Sequence, residues 1–194
     1  WYIEDGDCVI KAETVPDKKC IAWYKNDHAA SVSSSDTVVI LQKDMNAGDE
    51  IKFHTEYKEA YKLTVIKGKQ SGYFTKEESV SLSVILPPGQ EFKSWTIKEG
   101  DKVYTLGEYK EKLCLIDGAE FVYYDENKNE TVRAEKTEEV RVCKADYSFT
   151  FGYLEKLGLT VSGKRTEITA NFTQLLYTLT YRINAMVNGK NALG

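Results

Sequence analysis

YKLTVIKGKQSGYFTKEESVSLSVILPPGQEFKSW, residues 61–95, carries the alternation that decides the fold. Tyr61, Leu63 and Val65 alternate with Lys62 and Thr64. A side-chain period of two is what a half-buried strand requires, because successive Cβ atoms point to opposite faces. Gly68 and Gly72 punctuate a turn region, and a second alternation follows at Val80, Leu82 and Val84 with serines between. Pro87-Pro88-Gly89 closes it: proline cannot donate to a ladder, and glycine permits a tight reversal. Phe92 and Trp95 then supply aromatic mass for a small core. The stretch reads as strand, hairpin, strand, turn, aromatic strand.

Upstream, the same grammar recurs. CVIKAETVPDKKCIAW, residues 8–23, sets Cys8 with Val80, Ile10 with Leu82 and Ala12 with Val84. It also sets Pro16 with Pro88, Cys20 with Phe92 and Trp23 with Trp95, while Tyr2 and Tyr73 fall one position out of register. HTEYKEAYKLTV from His54 parallels TANFTQLLYTLTY from Thr169, with one residue inserted in the second. Matched alternation, turn and closing strand together predict an internal repeat. The units run over residues 1–60, lacking an opening strand, and 61–176. Residues 177–194 are the start of a further, truncated unit.

The remainder of the chain is short alternating segments cut by Gly and Asx turns, an all-β or β-dominated pattern. Residues 1–24 predict two strands joined across Val15-Pro16-Asp17, and residues 25–36 a polar loop. Residues 37–41 predict a buried strand, residues 45–49 a turn, and residues 50–57 a closing strand. GEYKEKL, residues 107–113, is the best helical candidate; Tyr153 to Leu157 predicts one helical turn ending at Gly158. Residues 125–141 alternate in charge sign, the pattern of a solvated hairpin face that resists edge association. Asn188-Gly189 is a hairpin dipeptide.

Composition narrows the classes. The 194 residues accommodate one to three small domains. A net charge of −4 gives no general attraction to nucleic acid or anionic membranes. No apolar run approaches the roughly 18–20 residues of a membrane-spanning helix. The chain begins at Trp1 without methionine and reads as an excised or processed piece. Four cysteines are even in number but contain no CxxC, and His28 and His54 lie far apart, so no metal site or cofactor is expected. Two candidate disulfides are Cys8 with Cys20 and Cys114 with Cys143; the alternative is reduced core cysteines acting as small hydrophobes.

Tyr61-x-Leu63-Thr64-Val65, Ser71-Gly72-Tyr73, Val80-x-Leu82, Pro87-Pro88-Gly89, Phe92-x-x-Trp95 and Ile168-Thr169-Ala170-Asn171-Phe172 resemble bacterial extracellular repeats of the internalin-B B-repeat type and their divergent relatives. The resemblance implies tandem small β-grasp-like units. It also implies a bacterial cell-surface or secreted location, with neighbouring repeats of the same polypeptide as partners. One departure stands out: the second unit carries extra β-rich material at about residues 103–157.

No GxSxG, HExxH, P-loop or GxGxxG motif occurs, and an enzyme is not expected. Trp23 and Trp95 pose a choice between stacking on a sugar and packing the core; equivalent register in two repeats favours the core. In a regular strand, one of the adjacent Tyr123 and Tyr124 faces away from the core, which makes that pair the candidate binding residues. The expected function is a non-catalytic spacer, presenter or adhesion module. The alternative is a carbohydrate- or protein-binding domain whose site lies in the extra material, where a surface addition concentrates binding residues; its partner would be a host or cell-wall glycan or protein.

Overall fold

The structure, a computed structural model, describes residues 7–26, 31–44, 50–161, 165–176, 186–187 and 190–191. It is β-dominated, with several antiparallel sheets and one short helix among those residues. The first region contains β1 (Cys8–Lys11), β2 (Lys18–Lys25), β3 (Ser31–Ser33), β4 (Thr37–Ile40), a 3-10 turn (Gln42–Asp44) and β5 (Phe53–Glu59). The next strands are β6 (Tyr61–Ile66), β7 (Gly72–Phe74), β8 (Ser79–Leu82), β9 (Gln90–Glu99) and β10 (Lys102–Tyr109). Then come β11 (Lys112–Asp117), β12 (Glu120–Asp125), β13 (Glu130–Glu135), β14 (Arg141–Val142) and β15 (Tyr147–Thr150). Helix α1 (Phe151–Lys156), β16 (Arg165–Gln174), β17 (Met186–Val187) and β18 (Lys190–Asn191) complete the order.

The alternation in 61–95 is realised over 61–65 and 80–82, while Val84 is half-buried beyond the end of β8. Tyr61, Leu63, Val65, Val80 and Leu82 are buried while the residues between them are half-buried or exposed. Gly89 adopts φ +71° in the Pro-Gly turn. Trp95 is fully buried, and its indole N–H donates to the carbonyls of Lys144 and Ala145 at 3.1 and 3.2 Å. Burying an indole of ~200 Å² at ~25 cal/mol/Å² is worth roughly 5 kcal/mol before entropy, an upper bound. Gly68 is dictated by this side chain: a Cβ there would lie 2.7 Å from the indole.

Strand pairing in the two regions coincides rung for rung. β2 pairs with β5 as Lys18↔Glu59, Lys19↔Lys58 and Cys20↔Tyr57, then, past a bulge, as Ala22↔Glu56 and Trp23↔Thr55. β9 pairs with β16 as Gln90↔Gln174, Glu91↔Thr173 and Phe92↔Phe172, then, past a bulge, as Ser94↔Asn171 and Trp95↔Ala170. Every rung, bulge included, follows from the sequence register that sets Cys20 with Phe92 and His54 with Thr169. β1 pairs with β4 through Cys8↔Ile40 and Ile10↔Val38; β8 pairs with β15 through Val80↔Phe149 and Leu82↔Tyr147. Lys18 N–H donates to Val15 and Gln90 N–H to Pro87 at matching turns, where Asp17 and Gly89 both have positive φ. Trp23, also buried, donates its indole N–H to Ser35 at 3.0 Å, as Trp95 does to Lys144.

What differs is what surrounds these ladders. Most strands of the second region lie in one sheet of order β13-β12-β11-β10-β9-β16-β6-β7, with β14 also on β10, while β8 and β15 form a separate pair. β6 joins β16 in parallel through Arg165↔Lys62 to Thr169↔Ile66. Among the described residues, β2, β3 and β5 form a sheet of three strands. The clusters differ accordingly. Cys20, Trp23 and Val38, flanked by Ile10, Ala12, Phe53 and Tyr57, make up one. A far larger one gathers Leu63, Trp95, Leu106, Phe149, Phe151, Leu154 and Ile168 with their neighbours. Cys114, Ile116, Phe121 and Val140 form a third.

Several expectations are corrected. Residues 107–113 are not helical: β10 and β11 form a hairpin whose turn residues Lys110 and Glu111 both have positive φ. Local propensity lost there to Leu106, Leu113 and Leu115, which a strand presents to one core. Residues 103–157 are not a surface addition, because β10–β13 extend the main sheet and Leu106, Phe149, Phe151 and Leu154 share the cluster of Trp95. The two strands expected in residues 1–24 are β1 and β2, and β1 takes β4 as its partner. The polar stretch 25–36 contains β3, which pairs with β2. Of residues 37–41 only Val38 is buried, while Val39 and Leu41 are exposed, since that pair of strands has one covered face. Neither candidate disulfide is present: Cys8, Cys20, Cys114 and Cys143 are free thiols. Cys8 and Cys20 sit on strands that are not partners, and Cys114 and Cys143 belong to different clusters.

The helical turn and the charged hairpin are found where they were expected. α1 covers Tyr153 and stops at Gly158 with φ +86°. The charged hairpin β12–β13 is tied on its solvent side by Arg133 to Asp117 and Glu120. β17 and β18 pair across Asn188-Gly189, which lie outside the described residues, as do the turn at 45–49, His28, Tyr2 and residues 177–183.

Candidate binding site

Tyr123 and Tyr124 lie consecutively on β12, so the period of two sends them to opposite faces of the sheet. Tyr123 stacks on Phe121, with ring centroids 5.3 Å apart, and meets Tyr109 edge-on at 5.0 Å. Tyr124 meets Tyr153 edge-on at 6.5 Å, donates its hydroxyl to the side chain of Asn129, and carries the Lys156 ammonium 4.9 Å from its ring centre. The sheet thus ends in aromatic rings on both sides, brought together by the β10–β11 turn, the β12–β13 turn and α1.

Tyr153 is held by the helix start. Thr150 caps α1, its side chain accepting from the Tyr153 N–H at 3.2 Å. Phe151 and Leu154 anchor the helix in the core. The ring of Tyr153 consequently stands between two clefts. One, of about 240 Å³, is lined by Tyr109, Tyr123, Tyr124, Asp125, Glu126 and Tyr153, among others. The second, of about 260 Å³, is lined by Leu113, Tyr147, Ser148, Phe149 and Tyr153, among others.

The Tyr153 hydroxyl is buried and has no hydrogen-bond partner, the one such side-chain atom among the described residues. An unsatisfied buried hydroxyl costs about 1–3 kcal/mol. Burial, then the negative charge of Glu126, pushes its pKa up, so it stays a neutral donor and acceptor. Glu126 pairs with Lys112 at the rim, and that ammonium holds its carboxyl below the usual range. The arrangement offers ring faces and a carboxylate and ammonium rim, with the unsatisfied hydroxyl buried behind them.

Of these groups the sequence pointed to Tyr123 and Tyr124 and missed Tyr109 and Tyr153. Tyr109 was hidden in the helical reading of 107–113. A turn made by Lys110 and Glu111 lacks the Gly or Asn that ordinarily marks positive φ. Trp23 and Trp95, the other aromatic candidates, are enclosed by the cores. Among the described residues no group of three His, Cys, Asp or Glu is placed to hold a metal ion, and no helix is long and apolar enough to cross a membrane. No family model, curated protein or solved structure matches this chain.

Proposed function

We propose that this chain is a non-catalytic extracellular repeat module of a bacterial surface or secreted protein, built from tandem β-grasp-like units and acting as a spacer, a presenter or in adhesion. The observation that carries the reading is the recurrence of one bulged ladder scheme in residues 8–59 and 61–174, joined by a single residue. Ala60 alone separates β5 from β6. It is buried, and its N–H donates to Asp17 at 2.9 Å. Lys19 on β2 pairs with Glu78 at 2.6 Å and lies 5.6 Å from the ring centre of Phe74. A junction this short, tied on both sides, resists bending, which a spacer needs. The parallel pairing of the opening strand β6 with the closing strand β16 supports the β-grasp-like assignment, and the Tyr-x-Leu-Thr, Pro-Pro-Gly and Phe-x-x-Trp motifs support the B-repeat resemblance.

Stiffness is directly measurable. Spin labels on β3 and β13 should give one narrow distance distribution by pulsed electron resonance. A broad distribution would reject the spacer.

A second reading is favoured by one specific observation, the Tyr124 ring on the wall of a cleft of about 240 Å³ that Tyr109 and Tyr123 also line. Sugars present flat C–H faces and hydroxyls, which such a shelf complements. A glycan array tests it: binding that Tyr124→Ala abolishes supports a carbohydrate site, and signal unchanged by that substitution rejects this location.

A further inference from the structure

The β11–β12 hairpin comes apart before its strands end. Its ladder runs Asp117↔Glu120, Ile116↔Phe121 and Leu115↔Val122, and there it stops. Both strands continue, β11 back to Lys112 and β12 on to Asp125, held on their other sides by β10 and β13. The parity of the rungs says what is left open. The two-residue turn at Gly118-Ala119 closes on a hydrogen-bonded pair, Asp117↔Glu120. Bonded and non-bonded rungs alternate in an antiparallel ladder. Leu115↔Val122 is therefore the next bonded rung and Leu113↔Tyr124 the one after, which is not formed. The turn at Lys110-Glu111 gives the same answer from the other side. It points the peptide groups of Lys112 and Cys114 at β10 and those of Leu113 at β12. Leu113 is buried and Tyr124 half-buried, so an N–H and a C=O on each strand stand where backbone groups ordinarily have partners.

Aromatic rings wall this open rung. The cleft of about 240 Å³ takes Tyr109 and Tyr123 from one face of the sheet and Tyr124 from the other, as a cleft does only where strands part or end. Lys112 and Tyr153 line both it and the neighbouring cleft that reaches Leu113. Lys112 and Glu126 pair across the two strand ends. The gap is one rung deep, because the strands rejoin at Leu115↔Val122. That depth admits one amide-sized group and excludes an inserted strand, which needs a row of rungs. We propose that the open rung selects a sugar bearing an acetamido group, an inference that rests on the carbohydrate reading of the Tyr124 cleft. An acetamido group is a secondary amide, like the peptide units around it. Its N–H matches an unpaired backbone C=O, its C=O an unpaired N–H, and its methyl an aromatic wall, while the sugar ring lies on Tyr124. A hydroxyl in its place offers one oxygen and no methyl.

The test titrates the isotope-labelled 194-residue chain with two neutral β-1,4-linked trisaccharides that differ at that group, the trimers of N-acetylglucosamine and of glucose. The acetylated trimer should bind at least about tenfold more tightly. Its largest shifts should fall on the Leu113 and Tyr124 amides. Tyr124→Ala should abolish binding, and Tyr124→Phe, which keeps the ring, should retain it. Equal affinity for the two trimers, lost together in Tyr124→Ala, overturns the acetamido inference and leaves the carbohydrate site standing. Binding of neither overturns both. A further readout needs no sugar. In the free chain the Leu113 and Tyr124 amides should exchange with solvent about tenfold or more faster than those of Leu115 and Val122. Protection equal to theirs means that the rung is closed, and ends the proposal.

Discussion

Residues 8–59 and residues 61–174 share a wiring diagram and almost nothing of its filling. Both set a bulge before a buried tryptophan whose indole donates to a carbonyl across the core. Yet among the described residues Trp23 is packed by a handful of neighbours, with Phe53 edge-on at 6.3 Å. Trp95 is sealed by β6, Gly68, Phe92 and the strands of a much larger sheet. Pairing is therefore fixed by short periodic patterns, while depth of burial is added by whatever strands can be recruited around them. The same ladder serves a thin core and a thick one.

The comparison breaks most sharply at the tryptophans. Trp95→Ala should destabilise the second region by about 4–5 kcal/mol, and Trp23→Ala the first by about 3 kcal/mol, because the thinner site collapses more readily. Denaturant melts followed at probes in each region would test this; equal losses would mean that the two cores are energetically alike. Next is Gly68→Ala, which should cost about 1–3 kcal/mol by driving a methyl against the Trp95 ring. Its effect should be confined to the second region.

Acid should separate the regions as well. Glu155 accepts from Lys76 at 2.7 Å and from the Tyr61 hydroxyl at 2.9 Å, which hold its carboxyl below the usual carboxylate range. A depressed carboxyl contributes stability above its unfolded pKa, and that contribution is lost as pH falls through the folded one. Through the acid range, the pH dependence of the second region's stability should therefore be flatter in Glu155→Gln than in the parent. Tyr153→Phe should stabilise the unliganded protein by roughly 1 kcal/mol by deleting the unpartnered hydroxyl. Destabilisation instead would show that the hydroxyl is satisfied. Smallest is Lys19→Ala, worth less than about 1 kcal/mol as a partly exposed ion pair. Its readout is a broader distance distribution across the junction rather than a melt.

Much of this architecture was legible before any coordinates. The period-two runs at 61–65 and 80–82, the Pro-Pro-Gly turn and the match of Cys20 with Phe92 translate directly into buried faces and ladder rungs. The misreadings have a common cause. β3 has no apolar alternation to announce it, and the β10–β11 hairpin turns on residues with no turn signature. In both, the partner strand imposed the structure that local sequence did not encode. The aromatic shelf was half-legible for the same reason: Tyr123 and Tyr124 are adjacent in sequence, whereas Tyr109 and Tyr153 join them only through the sheet.

Two thiols lie in each region, and they are placed at different depths. Burial drives the Cys114 and Cys143 pKa values up to about 12, whereas Cys8 is half-exposed on a two-stranded edge. Alkylating reagents attack thiolate, so the deep pair reacts only when the main sheet opens. The molecule thereby carries its own pair of stopwatches: adduct masses gathered over time would time the large sheet's opening independently of the small one's.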